Sequence, residues 1–356
     1  MTKEKTYEEN YSVGLSYDDV LLVPKYSDIR SRNEIDISID LGNGLKLESP
    51  IIASPMDTIS ESAMALEMGL AGGAAVVHRY NTIDEQVRHV RLAKDMANNL
   101  HGRAIVVGAA IGVSDDFIER AMALLEARTD FICVDVAHGH HIMMKNALAK
   151  LRVLLGDNYH IMAGNVATLD GVGDLADWGA DSVRCNIGGG SICSTRVQTG
   201  HGLPGLQTIL DCAQTDRDVA IIADGGLTNS GDMVKAFAAG ADAVMCGSLL
   251  SGTDESPGKI IEESDGTRWK TYRGMASKEA QINWRGKYSS FEGVSARVPY
   301  RGSVKNILSD LEKGIRSGFS YSGARTLSEL QSAATFVKQT SAGIGESKTH
   351  ITGRQW

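Results

Sequence analysis

Positive charge, proline and cysteine are all in short supply in this 356-residue chain, and so is any long apolar run. Lys and Arg number 36 against 44 Asp and Glu, a formal net charge of −8, so the basic stripe of a nucleic-acid binder is missing. Six prolines beside 39 glycines exclude a collagen-like or low-complexity chain, since the glycines fall in scattered turns. No apolar stretch approaches the roughly 20 residues of a membrane span. The charged start, Met1 to Asn10, is unlike a signal peptide. Hydrophobic residues make up 42%, enough for a globular core. A soluble cytoplasmic α/β protein is expected, with no nucleic-acid or membrane partner.

Five cysteines are an odd number, with no CxxC pair and no zinc spacing, which argues against a disulfide framework. Cys133, Cys185, Cys212 and Cys246 sit in or beside apolar runs and read as small buried hydrophobes. Cys193 differs. It lies in Gly188-Gly189-Gly190-Ser191-Ile192-Cys193-Ser194-Thr195-Arg196, loop composition with a cation close by. His138, His140 and His141 have the look of a metal cluster, but adjacent histidines chelate poorly.

What is present is alternation. Eight short, mostly continuous apolar runs fall at 50–54, 74–78, 104–109, 131–136, 160–165, 181–186, 219–224 and 242–247. Such runs suit strands buried on both faces of a parallel sheet. Amphipathic stretches at 84–98, 115–127 and 230–239 lie between them, and a last helix is expected at 304–316. The pattern predicts an α/β fold, a (β/α)8 TIM barrel, as a single catalytic domain over 1–356. A doubly wound sheet is the alternative, but no GxGxxG follows an early strand. Residues 1–49 form an N-terminal extension, 255–303 a long polar flap loop at the catalytic rim, and 341–356 a Gly-rich C-terminal tail. Gly179-Ala180-Asp181 and Gly240-Ala241-Asp242 echo one another ahead of two strands.

In a barrel the chemistry sits at strand C-termini. Gly225, Gly226, Gly247 and Ser248, after strands seven and eight, can turn backbone N–H groups toward a phosphate, and Ser191 can add a hydroxyl. Asp224 would repel a phosphate but suits the two hydroxyls of a ribose. Ordinary barrel turns account for these residues about as well. A thiolate at Cys193, with its pKa lowered by Arg196 and nearby N–H groups, would attack an electrophilic carbon of a bound base, with Thr195 passing a proton.

These residues carry a resemblance. The chain resembles the inosine monophosphate dehydrogenase / GMP reductase family over nearly its whole length. The matching segments are Tyr17-Asp18-Asp19-Val20-Leu21-Leu22-Val23-Pro24, Ser54-Pro55-Met56-Asp57-Thr58, Ala163-Gly164-Asn165-Val166, Gly190-Ser191-Ile192-Cys193, Ala223-Asp224-Gly225-Gly226, Gly247-Ser248-Leu249-Leu250 and Tyr272-Arg273-Gly274-Met275. The resemblance implies that Cys193 bonds purine C2. Ser191, Gly226, Gly247, Ser248 and Tyr272 would hold phosphate and Asp224 the ribose, with Gly225 a further substrate-binding residue. Met56, Gly274 and Met275 would lie by the base, and Ser54 would be a further substrate-binding residue. Asp135, Asn165 and Arg79 would face the nicotinamide cofactor, NADPH or NAD. Carbonyls of Gly188, Gly190 and Cys193 would form a monovalent-cation site for K+. A homotetramer acting on GMP or IMP is implied.

The chain also departs from the family pattern. Gly188-Gly189-Gly190 replaces the usual Gly-Pro-Gly, and Asn186 occupies a usual Gly. The regulatory module usually inserted after strand two is missing, with only a short connection after His78. The flap lacks the adjacent Arg-Tyr pair by which the dehydrogenases activate water, and Lys287-Tyr288 is the nearest match. The reductases pair a Thr with a Glu, for which Thr195 and Glu279 are the candidates. The segments Gly252-Thr253-Asp254-Glu255-Ser256-Pro257-Gly258, Arg297-Val298-Pro299-Tyr300 and Ser341-Ala342-Gly343 look more like the dehydrogenases. The flap outweighs them, because it bears on the water step. The expectation is an NADPH-dependent GMP reductase. An IMP dehydrogenase is the alternative, and a purine-nucleotide-binding protein without turnover is the third reading. Trp284 and Tyr288 either pack the rim or cover the base.

Overall fold

The eight apolar runs become eight parallel strands: β1 (Ile51–Ala53), β2 (Ala74–Val77), β3 (Val106–Ile111), β4 (Phe131–Asp135), β5 (His160–Val166), β6 (Ser182–Cys185), β7 (Ala220–Asp224) and β8 (Ala243–Cys246). They close into a barrel, with β8 pairing β1 and β6 pairing β7. This is the predicted (β/α)8 fold. The computed structural model describes residues 12–289 and 292–347. Residues 1–11 of the extension and 348–356 of the tail lie outside the described residues.

Local sequence accounts for the helices. In the helix Ile83–His101, Thr82 accepts the Glu85 N–H while the Glu85 carboxylate takes the Thr82 N–H, and Gly102 ends the helix at φ +59. The connection from β2 to this helix is the short link expected after His78. The last long helix runs Val304–Tyr321, beyond the expected end at 316. Its apolar face continues through Phe319, which packs edge-on against Phe237. Among the described residues no helix is long and apolar enough to cross a membrane.

The extension is put to structural use. A hairpin, Ile39–Asp40 with Lys46–Leu47, packs Ile39, Leu41, Leu45 and Leu47 onto the inward side chains Ile52, Val76, Phe131, Met162, Ile222 and Met245, closing one end of the barrel. Val20–Leu22 pairs antiparallel with Phe336–Lys338, tying the extension to the C-terminal part. The opposite end is left for chemistry.

The repeated Gly-Ala-Asp has a physical role. Asp181 and Asp242 stand at the entrances of β6 and β8, and each accepts an N–H from a nearby strand, that of Ile161 (2.6 Å) or Ile221 (2.7 Å). Asp130 does the same for Val107. Arg152 and Lys94 neutralise Asp181 and Asp130, but Asp242 has no ion-pair partner among the described residues. Burial therefore pushes its carboxyl up to about 6, against the hydrogen bond from Ile221. A folded pKa above the ordinary 3.8 favours the native state at low pH, and that contribution is lost as pH rises through about 6. Asp242→Asn keeps an acceptor and removes the charge. It should stabilise the protein by about 1–3 kcal/mol at pH 7.5, with the gain vanishing below about pH 4. Thermal melts across that range check the sign.

The region 255–303, expected as a long loop, is partly ordered into a small antiparallel sheet. It comprises β9 (Ile261–Glu262), β10 (Arg268–Arg273) and β11 (Ser295–Pro299), with a flap helix (Lys278–Arg285) between the last two. The reason is period-two burial in β10, where Lys270 and Tyr272 turn inward. The buried Lys270 ammonium donates to the Thr253 and Ser256 carbonyls, and burial lowers its pKa.

Candidate active site

The strand C-termini surround one cavity, with about 1460 Å³ of empty space counting its solvent-filled mouth. Every residue expected at the site lines it except Glu279. The segment carrying Cys193 runs from β6 into a short helix, Thr195–Thr199. Cys193 is exposed, while the other four cysteines are buried.

A hydrogen-bonded relay starts at that thiol. Cys193 Sγ donates to Thr195 Oγ1 at 3.2 Å, and Thr195 Oγ1 donates to Glu292 Oε2 at 2.8 Å. The Thr–Glu pair is therefore made, but by Glu292. Glu279 sits exposed in the first turn of the flap helix, where its charge complements the helix N-terminus. Backbone pairing sets the difference. Ser194 N–H donates to the Glu292 carbonyl (2.9 Å), Val294 N–H to Ile192 (3.0 Å) and Gly274 N–H to Val294 (3.1 Å). The returning strand is thus zipped between the Cys193 loop and the Gly274 turn. Glu292→Gln should lower turnover about 100-fold, whereas Glu279→Gln should stay within about twofold. Steady-state rates of the two variants make the comparison.

Arg196 does not turn toward the sulfur as expected. Its guanidinium bonds the Leu203 carbonyl and reaches that of Ile187, while its side chain lies against Gly188. It thereby puts a fixed positive charge beside the expected cation site. The Gly190 carbonyl there already accepts the Cys193 N–H at 3.0 Å.

Gly225 and Gly226 sit at φ +78 and +75, left-handed values that favour glycine, and so bend the chain sharply out of β7. The Gly225 N–H is spent on the Met245 carbonyl (3.0 Å), completing the β7–β8 ladder. Gly226, Gly247 and Ser248 remain as anion donors. Tyr272 is buried with its hydroxyl close to Gly247, and burial raises its pKa to about 12 against the pull of the nearby Ser191 side chain. Met56 Sδ also abuts Gly247, and Met275 Sδ accepts the Asp57 N–H at 3.3 Å. The Asp57–Arg273 ion pair fastens β10 to the loop after β1.

Arg184, on β6, was not among the residues expected at the site. Buried between two acids, it donates to Asp135 Oδ1 (2.6 Å) and, through Nε and Nη2, to Asp224 Oδ2 (3.0 and 2.7 Å). Burial opposes its charge, but Asp224 and Asp135 overcome that and raise its pKa. Asn165 Nδ2 adds a bond to the same Asp224 oxygen (2.8 Å), so Oδ1 is left for a sugar hydroxyl. Asp135 Oδ2 stands 3.7 Å from Arg79 Nε, a buried nitrogen without a hydrogen-bond partner. An unpaired donor beside an acid suits a polar ligand such as a dinucleotide's ribose or phosphate. The signal for Arg184 was a lone charge within an apolar strand, beside β7, which ends in Asp224, and one strand removed from β4, which ends in Asp135.

At the rim, Trp284 stacks on Tyr80, with centroids 4.2 Å apart and planes at 10°, and the Arg79 and Arg285 guanidinium groups lie over its ring. It packs the rim beside the cavity. Tyr288 is exposed under Lys278. His140 bonds Asp174 at 2.7 Å, and no three His, Cys, Asp or Glu converge as metal ligands among the described residues.

Chemically this is a (β/α)8 barrel enzyme with an accessible thiol at the mouth of its cavity. The chain belongs to the IMP dehydrogenase / GMP reductase family, whose domain matches residues 14–350. It is 34% identical to an inosine-5'-monophosphate dehydrogenase of Nitrosopumilus maritimus, over 96% of this chain and 98% of the relative. It is 31% identical to a GMP reductase of Leishmania major, over 95% and 96%. The crystal structure of a cysteine-to-alanine variant of the GMP reductase from Trypanosoma brucei, in complex with guanosine 5'-monophosphate, superposes with a TM-score of 0.91. The identity is 30%, and 97% of this chain and 99% of that one are covered. Members of the family are oxidoreductases of purine metabolism that use a nicotinamide cofactor. Relatives of both names match, so family membership leaves the direction of the reaction to the site.

Proposed function

We propose that this enzyme is a GMP reductase that turns GMP into IMP and ammonia with NADPH. The observation that carries the reading is the Cys193–Thr195–Glu292 relay, a path from the nucleophile to a carboxylate that can move protons to a leaving amine. The thiolate adds to purine C2, forming a C–S bond. The exocyclic C–N bond breaks, and ammonia departs with protons passed by Thr195 and Glu292. A nicotinamide cofactor held there would supply the hydride to C2, after which the C–S bond to Cys193 breaks and IMP leaves. In sum, GMP, NADPH and two protons become IMP, ammonium and NADP+. Asp224 orients the ribose, and Gly226, Gly247, Ser248 and Tyr272 hold the phosphate. Asp135, Asn165 and Arg79 would hold the cofactor. A cytoplasmic homotetramer belongs to the same proposal.

The position of Lys287-Tyr288 supports this direction. Both are exposed and neither lines the cavity, so the nearest counterpart of a water-activating pair is out of place. One observation favours IMP dehydrogenase instead: Arg285, on the flap helix, does line the cavity and offers a guanidinium from the flap. Nicotinamide absorbance separates the readings. Loss of NADPH with GMP supports the reductase. Formation of NADH from IMP, with no reaction of GMP, replaces it with the dehydrogenase. No change in either mixture, with GMP still shielding Cys193 from alkylation, leaves a binding protein.

A further inference from the structure

We infer that Asn186 is a positioning residue that bolts the Cys193 loop to the turn after β7, and that it is the reason residue 189 is glycine. The inference rests on the catalytic role read for Cys193 and Asp224. Asn186 is buried just past β6, where its Nδ2 donates to the carbonyls of Asp224 (2.9 Å) and Gly225 (3.3 Å). One side chain thus ties the start of the Cys193 loop to the backbone of the sugar-binding acid.

The same side chain fills the space under the loop. A Cβ on Gly189 would stand 2.3 Å from Asn186 Nδ2, 2.5 Å from Oδ1 and 2.7 Å from Cγ, distances no relaxed contact tolerates. The glycine turn rests directly on this loop, since a Cβ on Gly226 would meet the Gly189 carbonyl at 3.1 Å. The Asn186 side chain thus occupies the volume that a side chain at residue 189 would need.

Asn186 Oδ1 is buried with no hydrogen-bond partner. An unpaired buried acceptor destabilises the fold, and replacing Asn186 by glycine would remove it. Asn186 is placed as sites are, for position rather than for stability.

The test is a double-mutant cycle on the full chain with Asn186→Gly, Gly189→Ala and the pair. The first readout is the rate at which iodoacetamide alkylates Cys193 without nucleotide, the other four cysteines being buried. The second is KM against kcat. Gly189→Ala alone should change the alkylation rate about tenfold and lower kcat/KM about 100-fold, and on the Asn186→Gly background it should cost no more than about threefold. Asn186→Gly alone should raise the nucleotide KM about tenfold with kcat within about threefold, since it loosens the sugar turn and leaves the relay intact. Asn186→Ser is a second background should the glycine variant not fold. Equal effects of Gly189→Ala in both backgrounds, or an unchanged KM in Asn186→Gly, would overturn the inference. The alkylation arm contains no nucleotide, so it reads the 186–189 coupling even if the reductase reading fails.

Discussion

Cys193→Ala is expected to lower turnover at least about 10⁴-fold while nucleotide binding changes less than about threefold. In the proposed mechanism the thiol at the head of the relay is the nucleophile, and neither Thr195 nor Glu292 can replace the C–S bond. The side chain is exposed, so its truncation opens no core cavity and should leave the melting temperature unchanged. Asp224, Gly226, Gly247, Ser248 and Tyr272, the groups proposed to hold ribose and phosphate, lie outside the Cys193 loop and are not touched by the substitution. Turnover measured beside calorimetric titration with GMP separates the two effects. A variant that retained turnover would remove the covalent route.

The second large effect is expected at Arg184. Arg184→Leu strips the partner from Asp135 and from Asp224 at once, leaving two carboxylates facing each other across the barrel mouth. Breaking a buried pair on one side costs about 3–5 kcal/mol, which lowers the melting temperature by about 4–7 °C in a domain of this size. Binding should weaken as well, because Arg184 and Asn165 together fix the Asp224 carboxylate. Arg184→Lys keeps the charge and loses the fork that reaches both acids, so it should fall between wild type and Leu. A melting temperature within about 2 °C of wild type for Arg184→Leu would show that the acids find other partners.

The barrel was legible because its strands are buried on both faces and interrupted by turn residues at regular intervals. The strand ends were legible too, since polar residues and glycine collect where each apolar run stops. What local patterns could not supply was pairing across distance. Glu292 and Thr195 lie 97 residues apart and meet only because the strand entering β11 pairs with the Cys193 loop. Glu279 was the natural candidate by proximity to the Gly274-Met275 segment, and a capped helix turns it outward. Arg196 is near Cys193 in sequence, yet it turns to the carbonyls of Leu203 and Ile187. Arg184 carried a signal, a charge inside an apolar strand, whose meaning depends on the acids that end β4 and β7. The rim sheet escaped notice because its strands bury Lys270 and Tyr272, which read as surface residues.

The central question is whether Cys193 itself bonds the substrate. Intact-protein mass spectrometry after acid quench of the enzyme with GMP, followed by peptide mapping, answers this directly. A purine-nucleotide adduct on the peptide containing Cys193, absent from Cys193→Ala and slower to form in Glu292→Gln, is the predicted result. An adduct on another residue, or rapid turnover with the Cys193 thiol unmodified throughout, would contradict it.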